Sequence, residues 1–161
     1  MKTKIKVLII GIITIIISFI LKLDFIKDSH FDLITVNSVL IGFLFTSLSI
    51  LLGFLNEKII QFFEKAGALR KVYQNIEDGI CFSLLSIAVS IINLTIVEKY
   101  VLNKIVINFL YALEINFLII TLILLFITIN NLKIIIESIK FNKFKSDKQK
   151  NAEEEFNELF K

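Results

Sequence analysis

An uncharged stretch from Asn37 to Phe54 constrains the fold more than any other part of this chain. Charged residues bound it on both sides, and it is long enough to cross the hydrocarbon core of a bilayer as a helix, which needs about 20 residues. Further apolar blocks lie before and after it. Of the 161 residues, 56% are apolar and 20% are charged, whereas soluble domains carry about 25% charged residues. The blocks therefore predict a membrane protein.

We predict an all-α, polytopic membrane protein with four transmembrane helices. The predicted spans cover about residues 6–23, 33–55, 79–97 and 105–132. The apolar period of three to four residues continues beyond the second span, which predicts a helical hairpin over residues 56–78 with its turn around Gly67. One continuous helix that lies on the membrane surface is the alternative. The first span has no small-residue cleavage site after it and is expected to stay as an anchor. The domains are then the transmembrane part, residues 1–132, and a charged tail, residues 133–161.

The basic residues predict the orientation. Of the 18 lysines and arginines, only Lys22, Lys27, Lys99 and Lys104 fall on one side of the predicted spans. The others precede the first span or lie in the hairpin and the tail. The positive-inside rule therefore places both termini and the hairpin in the cytoplasm.

Small and polar residues line one face of the second span and one face of the third. The face of the second span, here called the Gly42 face, consists of Ser38, Gly42, Thr46, Ser49 and Gly53. The face of the third span, here called the Ser86 face, consists of Gly79, Ser83, Ser86, Ser90 and Asn93. Such residues let helices approach closely in lipid, so both faces are predicted packing or oligomer interfaces, and we expect them to meet. A water-lined surface is the alternative for the Ser86 face.

Glu114 is the ionisable residue that lies well inside a predicted span. A carboxylate in hydrocarbon is costly and marks a functional site by default. Two roles stay open: a structural hydrogen bond to Asn93, Asn116 or Tyr111, or a place on a proton or cation path. The only histidine, His30, falls in a short loop with aspartates nearby. We expect it to be solvated, because one histidine makes a poor metal site.

The hairpin is the predicted partner-binding segment. Its candidate residues are Glu64, Lys65, Gly67, Arg70, Lys71 and Tyr73. Acidic and basic residues balance there, which argues against direct nucleic-acid binding. The chain offers no phosphate-binding glycine loop, metal-ligand cluster or catalytic triad, so we expect no enzyme activity, cofactor or metal.

One short motif favours an enzyme instead. The stretch from Arg70 to Asp78, RKVYQNIED, resembles the arginine, asparagine and acidic signature of small four-helix glutathione-binding membrane proteins. In that family the motif opens the second helix, whereas here it opens the third. The resemblance implies, as an alternative, a membrane enzyme that uses Arg70, Asn75 and Asp78.

A broader resemblance favours a different class. The string from Asn37 to Ser49, followed by a charged hairpin and two more spans, resembles small four-helix membrane proteins of bacterial phage-defence systems, of the Kiwa membrane-subunit type. It implies a non-enzymatic homo-oligomer in the bacterial inner membrane. Such a protein would sense infection or perturb the membrane together with a cytosolic protein partner. A small ion or proton channel or transporter that uses Glu114 is the remaining alternative.

Overall fold

The computed structural model describes residues 12–14, 16, 23, 26–54, 58–65, 67–97 and 103–159. Its helices are α1 (His30–Gly53), α2 (Lys58–Lys65), α3 (Ala68–Ile92) and α4 (Lys104–Leu159). A π-helix, Asn93–Val97, continues α3. The described part of the chain contains no β-strand, which confirms the all-α prediction for it.

Three helices are long and apolar enough to cross a membrane: His30–Gly53, Leu69–Val97 and Lys104–Ser146. They correspond to the second, third and fourth predicted spans, and they agree with a membrane protein. The first predicted span, residues 6–23, lies almost wholly outside the described residues. Within it, Thr14 is helical and buried, and its hydroxyl oxygen lies 2.6 Å from Asn116 Nδ2 on α4.

The hairpin turns where the sequence predicts. Gly67 has a φ of 71°, the left-handed conformation that glycine adopts at little cost, and its N–H donates to the Glu64 carbonyl at 2.9 Å. However, α1 ends at Gly53 and Phe54 forms a turn, so the first arm of the hairpin, α2, is a separate helix and not a continuation of the membrane span.

The hairpin does not stand alone, because α4 packs against it. Helix α4 is unbroken over 56 residues, a length of about 84 Å at 1.5 Å per residue. One apolar cluster joins α2, the start of α3 and the middle of α4; it includes Ile60, Leu69, Val72, Ile76, Leu132, Ile135 and Ile139. We call this unit the hairpin bundle. The first turns of the predicted tail, beyond residue 132, thus belong to a packed core.

Gly67→Ala is expected to lower the free energy of unfolding by about 1–2 kcal/mol, because a Cβ is disfavoured in the left-handed conformation. Chemical unfolding in detergent micelles measures this loss, and limited proteolysis at the hairpin should speed up with it. Gly53→Ala is the matched control: Gly53 ends a regular helix, and nothing lies within 4 Å of the added Cβ. Equal effects of the two substitutions would contradict a strained turn at Gly67.

Candidate functional site

Glu114 lies at the centre of a buried polar cluster. Its side chain is 0% exposed, and three side chains surround its carboxylate. His30 Nδ1 lies 3.0 Å from Oε2 and 3.2 Å from Oε1. Asn93 Nδ2 donates to Oε2 at 2.8 Å, and Ser90 Oγ donates to Oε1. A carboxylate held by two or three donors is well satisfied even in an apolar environment.

Apolar packing brings His30 to this position. The chain before α1 turns through two backbone bonds, from Ile26 N–H to the Leu23 carbonyl and from Ser29 N–H to the Ile26 carbonyl. Leu23 and Ile26 are both buried against Tyr111 and Ala112 of α4. The turn is therefore anchored on α4, and the His30 ring lies against the Tyr111 ring, with centroids 5.3 Å apart.

A change of helix type occurs at the same level. The π-helix begins at Asn93, the residue whose amide contacts Glu114. Both Asn93 and Val97 are buried there. Such wider turns are rare and occur frequently at functional sites. Here the π-helix begins at the residue that binds the Glu114 carboxylate, so this end of α3 is part of the candidate functional site.

A second layer of hydrogen bonds ties the cluster to three helices. Asn37 Nδ2 of α1 donates to Ser86 Oγ at 3.0 Å, and Ser86 Oγ donates to the backbone carbonyl of Glu114 at 3.0 Å. Further along, Ser83 Oγ donates to Thr121 Oγ1 at 3.3 Å. All members of the Ser86 face are buried between α3 and its neighbours. Within the described part of the chain, the Ser86 face therefore packs helices.

Some polar atoms in this core have no hydrogen-bond partner. Among the described residues these are Asn37 Oδ1, Asn93 Oδ1 and Thr128 Oγ1, all in side chains that are 0% exposed. Buried polar groups are satisfied in the great majority of cases. These atoms therefore mark places where a water molecule or a rearrangement would be favourable.

The Gly42 face does not meet the Ser86 face. Its five residues are all exposed, and nothing lies within 4 Å of a Cβ added at Gly42 or Gly53. Helix α1 packs inward with a different face, which consists of His30, Asn37, Leu40, Leu44, Ser47 and Leu51. This face packs inward because its Asn37 donates to Ser86 and its Leu44 covers Gly79. Leu44 Cδ1 lies 2.9 Å from an ideal Cβ at that glycine.

The predictions for single residues have mixed outcomes. The predicted contact between Glu114 and Asn93 is present, whereas Asn116 contacts Thr14 and Tyr111 contacts His30. The prediction that His30 is solvated is wrong, because its side chain is 1% exposed. The sequence carried a signal for it. His30, Asn37, Leu44 and Leu51 recur at a spacing of seven on the buried face of α1.

The hairpin candidates lie mostly at the surface. Glu64, Gly67, Arg70 and Lys71 are exposed, and Tyr73 is partly buried against the hairpin bundle. Lys65 is the last residue of α2. The structure describes no group of three or more histidine, cysteine, aspartate or glutamate side chains that is suited to a metal ion.

Comparisons of the chain with protein-family models, with curated proteins and with solved structures find no match. Function therefore has to follow from the chemistry of the Glu114 cluster and from the helices that hold it.

Proposed function

We propose that this protein is a non-enzymatic sensor or effector of the membrane, in which the buried Glu114–His30 pair is a proton-controlled switch. One observation carries the proposal: a carboxylate and an imidazole meet at 3.0 Å in a core where both side chains are buried. Ionisable groups placed in this way inside membrane helices are typical of proton-linked function.

The pair has two neutral arrangements that share one proton. In the first, an ionised Glu114 accepts a hydrogen bond from a protonated imidazole at Nδ1. In the second, a protonated Glu114 donates to the neutral ring. Adding a second proton leaves a positive charge without a counter-ion, and an unpaired charge is expensive in such a core. Among the described residues, His30 is the titratable group that contacts the Glu114 carboxylate, and Tyr111 packs against the His30 ring. Helix α3 contributes the uncharged Ser86, Ser90 and Asn93.

Tight packing below the cluster favours a switch over an open pore. At the level of Gly79, Leu44 fills the space next to the α3 backbone, and Leu124 Cβ lies 3.6 Å from an added Cβ. Leu44 is 0% exposed. These leucines lie between the polar groups around Glu114 and the buried Thr128, which is nearer the hairpin bundle.

Two helices connect the switch to the hairpin bundle. Both α3 and α4 hold polar residues of the cluster at one end and apolar residues of the hairpin bundle further along. A shift of either helix at Glu114 would therefore displace the residues against which α2 packs. In this proposal the exposed hairpin residues are the surface for a cytosolic protein partner, and both termini lie in the cytoplasm, as the positive-inside rule predicts.

The Gly42 face supports a homo-oligomer in the same proposal. It is an exposed row of small residues on a membrane-length helix, a surface on which another helix packs closely in lipid. We also propose that this sensor lies in the bacterial inner membrane and acts in phage defence, as the resemblance to phage-defence membrane proteins implies.

The switch predicts pH-dependent opening of α3 near Asn93. In lipid nanodiscs, acidification from about pH 8 to about pH 5, where histidine typically changes charge, should raise amide hydrogen exchange of residues 86–97 by about tenfold after correction for intrinsic rates. Glu114→Gln, which keeps the shape of the side chain and removes its carboxylate, should abolish the difference. Glu137→Gln, at an exposed glutamate of the same helix, should preserve it. Exchange in the wild type that does not respond to pH would mean that the pair is a structural lock.

A proton or cation channel is the second candidate, and Thr128 favours it. Its buried hydroxyl oxygen, which has no partner among the described residues, lies on α4 two heptads beyond Glu114 and one beyond Thr121. Polar groups thus occur on both sides of Leu44 and Leu124. Proton flux into liposomes that falls with Glu114→Gln would favour the channel, whereas pH-dependent exchange without flux would favour the switch.

A further inference from the structure

A groove between α1 and α4 has the chemistry of a lipid site. Its volume is about 470 Å³, and its lining changes in character along α4. Leu125 and Ile129 of α4, with Phe43 of α1, supply apolar side chains at one end. Lys133 and Lys140 of α4 supply charges at the other. We infer that this groove binds a phospholipid with an anionic headgroup.

The length of the groove fits one leaflet of a bilayer. From Leu125 to Lys140 the rise along α4 is about 22 Å at 1.5 Å per residue. A bilayer with its headgroups is about 40–45 Å thick, so one leaflet is about 20–22 Å. An acyl chain that lies along Leu125 and Ile129 therefore puts its phosphate between the levels of Lys133 and Lys140, which lie about 10 Å apart along α4.

The charged end of the groove is positive. Lys133 Nζ lies 4.0 Å from Glu137 Oε1, and in this exposed pair the glutamate offsets one of the two lysine charges. No carboxylate of the described chain pairs with Lys140, which leaves that end with one uncompensated positive charge. A phosphodiester supplies the missing negative charge, whereas a zwitterionic lipid supplies a positive group as well.

A lipid fits this groove better than a second copy of the chain. Phe43 and Ile129 are 57% and 51% exposed at a depth where lipid tails surround the protein. A symmetric dimer through the same groove would bring each of Lys133 and Lys140 close to the same lysine of the other copy, because a two-fold interface pairs identical patches. The two Lys140 side chains, which have no carboxylate partner among the described residues, would then face each other.

The test is native mass spectrometry of the full chain, released from detergent with phosphatidylglycerol or with phosphatidylcholine of the same acyl chains. The wild type should retain phosphatidylglycerol with an affinity about tenfold higher. Lys133→Gln together with Lys140→Gln should remove that preference, since each lysine near a lipid phosphate contributes a severalfold effect. Lys145→Gln together with Lys148→Gln, two exposed lysines outside the groove, should leave it unchanged.

A second variant tests the apolar end. Ile129→Trp fills the groove without a change of charge and should reduce retention of both lipids, while thermal unfolding shows that the variant is folded. Inorganic phosphate should not compete, because the acyl chain is part of the ligand. Equal losses in the two lysine pairs, or a dimer whose dissociation follows Ile129→Trp, would overturn the inference.

Discussion

Replacing Glu114 by alanine is expected to lower the free energy of unfolding by about 3–5 kcal/mol, the range for removing one partner of a buried ion pair. The substitution leaves His30, Ser90 and Asn93 pointing at an empty site inside the core. Their donors cannot reach water there, and each unsatisfied group adds its own desolvation cost. Equilibrium unfolding in mixed micelles, followed by far-ultraviolet circular dichroism, measures the loss.

Two comparisons show whether the loss comes from the pair. Glu137→Ala removes an exposed glutamate, whose ion pair with Lys133 is 4.0 Å long, and should cost less than about 1 kcal/mol. Replacing both His30 and Glu114 by leucine should cost less than Glu114→Ala alone, because no unpaired polar partner of the two remains. His30→Leu and Glu114→Leu are also measured singly. If the loss of unfolding free energy in the double variant equals the sum of the two single losses, the two side chains are not coupled.

The sequence predicted half of this site. Glu114 and the Ser86 face were visible, because a carboxylate and a regular row of serines are conspicuous in an apolar helix. His30 was missed, since it lies outside the apolar block and only its spacing from Asn37 and Leu44 relates it to the buried face of α1. The turn that anchors it on α4 depends on contacts distant in sequence, which a local pattern does not contain.

The fold was predictable to a similar extent. The period of apolar residues and Gly67 predicted a hairpin with the correct turn, and three membrane-length helices follow the predicted apolar blocks. The break at Phe54 and the unbroken passage of α4 beyond residue 132 were not predicted. The continuation of α4 depends on packing, because Leu132, Ile135 and Ile139 are buried in one cluster with residues of α1, α2 and α3.

Two identical substitutions distinguish the buried glycine from the exposed one. Gly79→Leu should lower the free energy of unfolding by about 3 kcal/mol, at the upper end of typical overpacking costs, because Leu44 and Leu124 already fill the space. Gly42→Leu should cause no such loss in the monomer, since nothing lies within 4 Å and leucine favours a helix over glycine by about 1 kcal/mol. Chemical unfolding of both variants in the same detergent gives the comparison.

The pair of variants also separates the two uses of small residues in this protein. A loss of stability at Gly79 follows from packing inside one chain, and adding Leu44→Ala to Gly79→Leu should recover part of it by removing the contacting atoms.

An effect of Gly42→Leu on assembly requires another molecule on the Gly42 face. If the protein is an oligomer through that face, Gly42→Leu should shift it toward the monomer in single-molecule photobleaching of nanodiscs, without a loss of stability in each chain. An oligomer that survives Gly42→Leu would place its interface elsewhere, and stability unaffected by Gly79→Leu would contradict the close contact of α1 and α3.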